Sequence, residues 1–498
     1  MFKSENMTLL TDLYQLTMMQ GYFEFGKKDK LAVFDLFFRE NPFHAAFSIA
    51  AGLDQLIDYI ENLHFSDEDI RYLRSTGLFT EGFLEYLSDF HFSGEIYAIP
   101  EGSIVFPGEP LVRVKAPIVE AQLIETTILC LINHQSLIAT KAVRVNWAAK
   151  GDPVMEFGLR RAQGPDAGTL GARAAVIGGC VGTSNVLCAK EFDVAPKGTH
   201  AHSWVMSFDH EIDAFRAYAK LFPDMCILLV DTYDTLGSGV PNAIKVFQEM
   251  RDAGVKSKTY GVRLDSGDLA YLSKKARAML DEAGFTDAII SASSDLDEYL
   301  VRDLKLQGAE ISLWGIGTKL ITAQDNPSFG GVYKLAAEEI GADEEKSAAD
   351  GGAPGLKAKI KLSDNPAKVT NPGYKKVLRI YDRATGKLKA DLITLNSEQY
   401  SEDEVLTIFD PISTWKRMTF APASYELREM LQPIFIDGRC VYERPSVMEI
   451  QAYCKRELET LWPESRRLVN AQTIPVDLSQ PLYDLKQNML HQYRKDSL

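Results

Sequence analysis

Clusters of charged, aromatic and glycine residues follow short apolar runs between residues 156 and 331 of this 498-residue chain. The first cluster, Glu156–Arg161, contains Phe157, Arg160 and Arg161. An aromatic ring can stack on a planar ligand, and guanidinium groups pair with carboxylate or phosphate. Taken alone, this cluster equally fits a packed phenylalanine beside surface arginines.

Two further clusters carry hydroxyl and imidazole groups. Gly182–Asn185 includes Ser184 and can approach a ligand closely, although such residues more often form a turn or a helix cap. Gly198–Trp204 includes His200 and His202, and a neutral imidazole can act as a nucleophile, a base or a metal ligand. A metal ion shared by these two histidines would lack a third His or Cys nearby, so no metal ligand is assigned.

Carboxylates end two successive apolar runs. Asp231 directly follows the run Met225–Val230, and Asp265 lies two residues after Arg263 at the end of the next run. An unpaired carboxylate is too costly to bury, so these groups should face a polar cleft. There they could hydrogen-bond ribose hydroxyls and help to hold a magnesium–pyrophosphate group.

Glycines mark a candidate phosphate site. Gly315, Gly317 and Thr318 follow one apolar run, and Gly330 and Gly331 come soon after. Glycines let backbone N–H groups approach phosphate oxygens, although the same residues also form tight turns. The Walker pattern G-x-x-x-x-G-K-[ST] does not occur in this chain.

Short apolar runs that alternate with helical patterns should position these clusters. Their spacing of about 20 to 45 residues is typical of strand–loop–helix units. Six such units favour a closed or partly closed parallel α/β barrel, with an open doubly wound sheet as the alternative. Ligands should meet the loops at the carboxyl ends of the strands. The predicted strands are Pro153–Phe157, Ala175–Val181, Met225–Val230, Thr259–Arg263, Ala288–Ser291 and Ile311–Trp314.

The rest of the chain predicts a mixed α+β domain built from both chain ends. We expect an N-terminal α+β domain over 1–148, the barrel over 149–336, a mobile linker over 337–355 and a C-terminal segment over 356–498 that packs on the N-terminal domain. Helices are predicted at Leu53–Leu63, Phe79–Phe92 and Ala121–Ala149, and an antiparallel unit over 94–116. Strands are expected over 356–412 and a helical, charged tail from about residue 420.

Composition excludes several classes of function. The formal net charge of −15 disfavours general binding to nucleic acid or to anionic membranes. Six scattered cysteines without a CxxC pair predict reduced thiols rather than zinc ligands or disulfides. The sequence shows neither a signal-peptide pattern nor an apolar run of the roughly 18 to 20 residues that spans a bilayer, which predicts a cytoplasmic protein.

Taken together, these clusters give the chain a resemblance to the nicotinate phosphoribosyltransferases over nearly its whole length. The order GTxAHS, VDTYDT and RLDSGD is specific to that family. The segments that carry the resemblance are Thr11–Gln15, Phe38–Phe43, Glu156–Arg160, Gly198–Ser203, Asp231–Thr235, Arg263–Asp268 and Gly315–Thr318.

The resemblance implies a type II phosphoribosyltransferase fold, which is an incomplete parallel α/β barrel flanked by a mixed α+β domain from both chain ends. It also implies a head-to-tail homodimer with active sites at the subunit interface. The implied reaction joins nicotinate to the phosphoribosyl group of PRPP, giving nicotinate mononucleotide and diphosphate for NAD biosynthesis. Tyr14 of the partner subunit and Phe157 would stack on the pyridine ring, while Arg263 and Thr199 would hold the carboxylate of nicotinate.

The resemblance assigns the phosphates to three segments. Arg160 and the loops Gly315–Thr318 and Gly330–Gly331 would bind them.

The resemblance also implies coupling to ATP hydrolysis, which would make the enzyme ligase-type. His202 would be phosphorylated transiently, and Asp231 would orient its ring if it lies within hydrogen-bond reach. With Asp265, these residues form the predicted catalytic set, and Mg²⁺ would accompany PRPP and ATP. Whether His200 shares the role of His202 stays open.

Alternatives differ in the base or in the chemistry. Nicotinamide-using relatives resemble this pattern but have an aspartate at the position of Ser184, and a carboxylate there would repel nicotinate. Ser184 therefore favours the acid. An aldolase-like enzyme acting on a sugar phosphate would want a Schiff-base lysine in a barrel strand, and the predicted strands have none. A non-catalytic sensor would not need the intact His202, Asp231 and Arg263.

Overall fold

The computed structural model describes residues 6–340, 351–365 and 368–495, apart from the side chains of residues 494 and 495. The chain divides into two compact units. Unit 1 comprises Met1–Leu137, Ser328–Pro445 and Ala452–Leu498, so it is built from both chain ends, and unit 2 comprises Ile138–Pro327 and Ser446–Gln451. The domain limits predicted from the sequence stay predictions, and residues 341–350, which make up most of the predicted linker, lie outside the described residues.

Sixteen α-helices and twenty β-strands occur in the described residues. The helices are α1 (Leu13–Glu24), α2 (Leu53–Glu61), α3 (Asp67–Ser75), α4 (Glu81–Ser88), α5 (Ile118–Leu123), α6 (Glu125–Ala148), α7 (Pro165–Ile177), α8 (Val186–Glu191), α9 (His202–Met206), α10 (Glu211–Leu221), α11 (Val240–Asp252), α12 (Leu269–Glu282), α13 (Glu298–Leu306), α14 (Thr318–Ile321), α15 (Val447–Thr460) and α16 (Gln480–Lys495).

The strands are β1 (Leu31–Phe38), β2 (Ser48–Ile49), β3 (Glu95–Ala98), β4 (Ile104–Val105), β5 (Val112–Pro117), β6 (Val154–Glu156), β7 (Met225–Leu229), β8 (Thr259–Leu264), β9 (Ile289–Ser294), β10 (Leu313–Ile316), β11 (Gly331–Glu339), β12 (Leu356–Ala358), β13 (Lys375–Asp382), β14 (Leu388–Leu395), β15 (Leu406–Phe409), β16 (Arg417–Phe420), β17 (Tyr425–Glu429), β18 (Gln432–Ile436), β19 (Arg439–Cys440) and β20 (Val476–Leu478).

Unit 1 contains a seven-stranded antiparallel sheet in the order β12-β11-β1-β5-β3-β18-β19. The near-continuous apolar sequence of β1 is buried along most of its length, as expected for a strand flanked on both edges. A four-stranded sheet, β17-β13-β14-β20, and two strand pairs complete the unit. The antiparallel unit predicted over 94–116 is confirmed, because β3 pairs with β5 and Ile96 lies opposite Val114.

Unit 2 contains a parallel sheet in the order β6-β10-β9-β8-β7. Helices α11, α12 and α13 connect successive strands from β7 to β10, which is the connection that neighbouring parallel strands require. Beyond β6, parallel bridges pair Glu156 with Thr183 and Thr183 with Pro196, so the wall continues past the last named strand. This is the predicted incomplete α/β barrel, and it brings the carboxyl ends of β6, β8, β9 and β10 to one edge.

Five of the six predicted barrel strands are confirmed, and Ala175–Val181 is wrong. Residues up to Ile177 are the last turns of α7, which begins with Pro165 at its first position. Ala174–Ile177 continues that helical run, and Gly178 and Gly179 end it, the latter with a φ of +110°. Thr183, two residues past the predicted strand, provides the wall position.

The helical tail predicted from residue 420 is also wrong over its first part. Strands β17 and β18 lie there, because β17 pairs with β13 and β18 pairs with β3. Short strands of this kind depend on distant partners, which a local helical pattern does not reveal.

The helices predicted at Leu53–Leu63, Phe79–Phe92 and Ala121–Ala149 correspond to α2, α4 and α6. None of the helices in the described ranges has the length and hydropathy needed to cross a bilayer.

Candidate active site

A cleft of about 680 Å³ lies at the carboxyl ends of the parallel strands of unit 2. Four strand ends and the segment before α9 supply its walls, so loops far apart in sequence meet there, as expected for a parallel sheet. Its lining residues are Phe157, Arg160, Arg161, Ser184, Gly198, Thr199, His200, Ala201, Arg263, Asp265, Ser293, Ser294, Asp295, Gly315, Gly317 and Thr318.

The ring of Phe157 lies directly against strand β10. A Cβ atom added at Gly315 would be 2.6 Å from two carbons of this ring, and one at Gly317 would be 3.2 Å from the carbonyl oxygen of Phe157. Side chains at these positions would therefore push Phe157 away. This packing explains why residue 315 is a glycine. Gly315, Gly317 and Thr318 all line the cleft.

Arg263 contributes a guanidinium group to the cleft lining. It lies on β8, and its Nη1 donates a hydrogen bond to the hydroxyl of Thr199. Its Nε is buried without a hydrogen-bond partner among the described residues. Burial lowers the pKa of Arg263, while the carboxylates of Asp265 and Asp231 act in the opposite direction. A guanidinium group in the cleft lining suits a carboxylate ligand.

The two histidines differ in environment. His202 begins α9, its side chain is 40% exposed, and its Nδ1 lies 3.1 Å from the hydroxyl of Thr232. Its Nε2 lies 3.8 Å from a carboxylate oxygen of Asp265, which places His202 beside the cleft lining. This arrangement leaves Nε2 accessible.

His200 is buried and engaged on both sides of its ring. Its Nε2 accepts a hydrogen bond from the backbone N–H of Leu229 at 3.3 Å, and its ring packs edge-on against Tyr218 with centroids 4.7 Å apart. Burial lowers the pKa of His200 to about 4, so the ring is neutral at physiological pH. Neither histidine lies in a strand.

Asp231 directs its hydrogen bonds away from His202, so the hydrogen-bond reach on which its orienting role depends is not met. One carboxylate oxygen of Asp231 accepts hydrogen bonds from the N–H of Asp265 at 2.8 Å and the hydroxyl of Ser266 at 2.7 Å. The neighbouring Thr232 takes the expected place beside the imidazole. The side chain of Asp231 is thus directed to the β8 loop, and its other oxygen is buried without a partner among the described residues.

The end of β9 supplies residues that were missed in the sequence. Ser293, Ser294 and Asp295 line the cleft, and the hydroxyl of Ser293 donates to the carboxylate of Asp265. The signal was available, because these residues follow the predicted strand Ala288–Ser291 directly. Thr232 was named only within the motif Asp231–Thr235.

Three predicted site residues belong to unit 1, and their roles stay predictions. Tyr14 lies on α1 with 49% of its surface exposed. Gly330 has a φ of +74°, in the left-handed region that favours glycine. Gly331 begins β11, where a Cβ atom would collide with the side chain of Asn133.

A metal site built from protein groups alone is not found. Across the described ranges, no group of three or more His, Cys, Asp and Glu residues is arranged to hold a metal ion. The carboxylates of Asp265 and Asp295 in the cleft lining are the oxygen ligands there that Mg²⁺ would accept.

A cationic cleft at the carboxyl ends of parallel strands defines the class, an α/β-barrel protein that binds small anionic ligands. Three family models match the chain: the N-terminal domain of nicotinate phosphoribosyltransferase at residues 9–133, the nicotinate phosphoribosyltransferase family at 153–376, and the C-terminal domain at 374–486. The chain therefore belongs to the nicotinate phosphoribosyltransferase family.

Individual relatives agree with this assignment over most of their length. The chain is 45% identical to the nicotinate phosphoribosyltransferase of Bacillus subtilis over 493 residues, covering 99% of this chain and 97% of that one. It is 35% identical to the Dictyostelium discoideum protein of the same name, covering 97% and 88%. The crystal structure of the human nicotinic acid phosphoribosyltransferase matches with a TM-score of 0.81 at 30% identity, covering 96% and 99%.

Proposed function

We propose that this chain transfers the phosphoribosyl group of PRPP to nicotinate, giving nicotinate mononucleotide and diphosphate in NAD biosynthesis. The observation that carries the proposal is the guanidinium of Arg263 in the same cleft lining as the ring of Phe157. A flat ring that bears one carboxylate satisfies both groups at once. Membership of the family supports the same reaction.

The geometry suggests a division of roles in binding. Phe157 stacks on the pyridine ring, and the guanidinium of Arg263 holds the carboxylate while Thr199 fixes the orientation of that guanidinium. Arg160 and the Gly317–Thr318 turn bind phosphate groups. The pyridine nitrogen then forms its bond to the anomeric carbon, and the bond from that carbon to the diphosphate oxygen breaks. Holding both substrates in line contributes to the rate by removing the entropy cost of their encounter.

Base selectivity rests on Ser184 and Arg263. Ser184 lines the cleft without adding a negative charge, so nothing at that position repels the carboxylate of nicotinate. Nicotinamide would offer the cation of Arg263 no carboxylate. Nicotinate is therefore the proposed base.

ATP coupling is assigned to His202. Thr232 contacts Nδ1, and this leaves Nε2 as the nitrogen to receive a phosphoryl group from ATP. A phosphorylated imidazole would add negative charge beside the cleft and help to order Mg²⁺–PRPP. The hydrogen bond from Leu229 makes His200 unsuitable for this role.

Mg²⁺ is proposed to enter with PRPP and ATP. Asp265 and Asp295 are placed to contact the substrate-borne ion or the ribose hydroxyls. Asp231 acts on the cleft by holding the backbone of Asp265. We further propose a cytoplasmic homodimer in which Tyr14 completes the site of the partner, and we propose that the Gly330–Gly331 turn binds phosphate.

A product assay tests this function. Purified protein is given nicotinate, PRPP and Mg²⁺ with and without ATP, and nicotinate mononucleotide and diphosphate are measured by chromatography. We expect ATP to stimulate the wild type, whereas His202→Ala should keep a slow transfer without any ATP stimulation. The exposed His210→Ala serves as the matched control and should respond to ATP as the wild type does. Equal stimulation of the His202 variant would remove His202 from the mechanism.

A further inference from the structure

Glu156 is a fully buried acid at the end of β6, directly before Phe157. One of its carboxylate oxygens accepts a hydrogen bond from the Thr183 hydroxyl at 2.5 Å, and the other accepts one from the N–H of Gly158. Among the residues that the structure describes, no lysine or arginine forms an ion pair with this carboxylate. Burial raises the pKa of Glu156, and the two hydrogen bonds only partly oppose that effect.

This acid joins the two segments that carry Phe157 and Ser184. Phe157 lies between Glu156 and Gly158 in sequence, and Ser184 follows Thr183. A backbone hydrogen bond joins the same two segments, because the N–H of Ser184 donates to the carbonyl of Glu156 at 2.9 Å. The Thr183 hydroxyl also accepts from the N–H of Asn185 at 2.9 Å, so its orientation is fixed from both sides.

Residue 158 packs closely against the carboxylate of Glu156 and against Ile321. A Cβ atom at Gly158 would lie 2.8 Å from the carboxylate of Glu156 and 2.5 Å from Ile321. A glycine is therefore needed for the Gly158 amide to reach the acid. Burying an acid without a cation costs stability, and an apolar residue would fill the same space more cheaply.

We propose that Glu156 is a positioning residue that, with Thr183, sets the separation between the Phe157 ring and Ser184. It thereby tunes the slot for the flat base without touching it. This inference rests on the proposed function and extends it to a residue behind the cleft lining. Loosening the contact should weaken binding of the base and its discrimination, while binding of PRPP stays nearly unchanged.

Thr183→Val is the main test, because it keeps the side-chain shape and removes the hydroxyl. We expect the KM for nicotinate to rise about tenfold, the change expected when one hydrogen bond to a charged group is lost. The KM for PRPP should change less than about twofold, and the preference for nicotinate over nicotinamide should fall. Thr183→Ser keeps the hydroxyl and should restore values near those of the wild type.

Two further variants separate positioning from general stability. Glu156→Asp keeps the carboxylate but is too short to reach both Thr183 and Gly158. It should therefore raise the KM for nicotinate, as Thr183→Val does, and it provides the test if Thr183→Val folds poorly. Ser273→Ala removes a buried hydroxyl that binds the N–H of Glu310 outside the cleft lining. This control should lower the melting temperature without changing either KM.

The outcomes distinguish the two proposals. If the wild type makes no nicotinate mononucleotide, the proposed function fails and the role of Glu156 fails with it. If the wild type is active while folded Thr183→Val and Glu156→Asp keep its nicotinate KM and base preference, only the positioning role is overturned.

Discussion

Replacing Arg263 by methionine should distinguish the partner of the nicotinate carboxylate from the groups that bind phosphate. Methionine keeps much of the side-chain volume and removes the charge and all five donors. The guanidinium is largely buried, its Nη1 is taken by Thr199, and its Nε has no partner among the described residues. A carboxylate bound from the cleft would accept two charge-assisted hydrogen bonds from the guanidinium in a poorly solvated place.

The magnitude follows from these contacts. Hydrogen bonds to charged groups contribute about 1.5 to 3 kcal/mol each, and the two share one ion pair, so their joint loss should cost about 2 to 4 kcal/mol. At about 1.4 kcal/mol per factor of ten, the kcat/KM for nicotinate should fall roughly 30- to 800-fold. Nicotinamide carries no negative charge, so its kcat/KM should fall less than about tenfold.

Steady-state kinetics with each base and with PRPP measure these changes. Arg160→Met is the matched control, because Arg160 also lines the cleft but is exposed, and it should affect PRPP more than nicotinate. Equal losses with the acid and the amide, or a rise in the PRPP KM as large as that for nicotinate, would refute the assignment of Arg263.

Two further predictions concern groups around the cleft. The folded pKa of His200, about 4, lies below its ordinary value of 6.5, so the unfolded chain binds more protons in that interval and stability is lost as pH falls through it. From pH 7 to 5 this loss should be about 2 kcal/mol, and urea unfolding should show it in the wild type but not in His200→Gln; parallel losses would contradict it. Lys319 follows Thr318 and pairs with Asp297 at 2.8 Å, so Asp297→Asn, which keeps the helix cap of α13, should raise the PRPP KM several-fold and leave the nicotinate KM unchanged. An unchanged PRPP KM in the folded variant would show that this ion pair does not position the Thr318 turn.

The sequence predicted the cleft because parallel strands end at a common edge. Phe157, Arg263 and Gly317 are distant in the chain, yet each follows or ends an apolar run, and the parallel sheet brings all three into one lining. The error at Ala175–Val181 did not harm this prediction. Thr183 and Ser184 still reach the wall, because the bridge to Glu156 starts after α7 has ended.

Side-chain partners within the cleft were less predictable. His200 and His202 share nearly the same local sequence, but burial against Tyr218 and the N–H of Leu229 engages only the first. Asp231 and Thr232 are neighbours, and the direction of the chain after β7 decides which of them meets His202. Such choices depend on side-chain rotamers and on tertiary contacts, which motif spacing does not encode.

Gly315 shows why a glycine pattern predicts close approach but not the approaching group. The sequence suggested phosphate at Gly315 and Gly317, because a missing side chain lets a ligand come near the backbone. In the fold, the group that comes near Gly315 is the ring of Phe157, which leaves no room for a Cβ atom. The substitution Gly315→Ala would therefore move the ring of Phe157, which is proposed to stack on the base. A glycine assigned to phosphate can thus control the binding of the base.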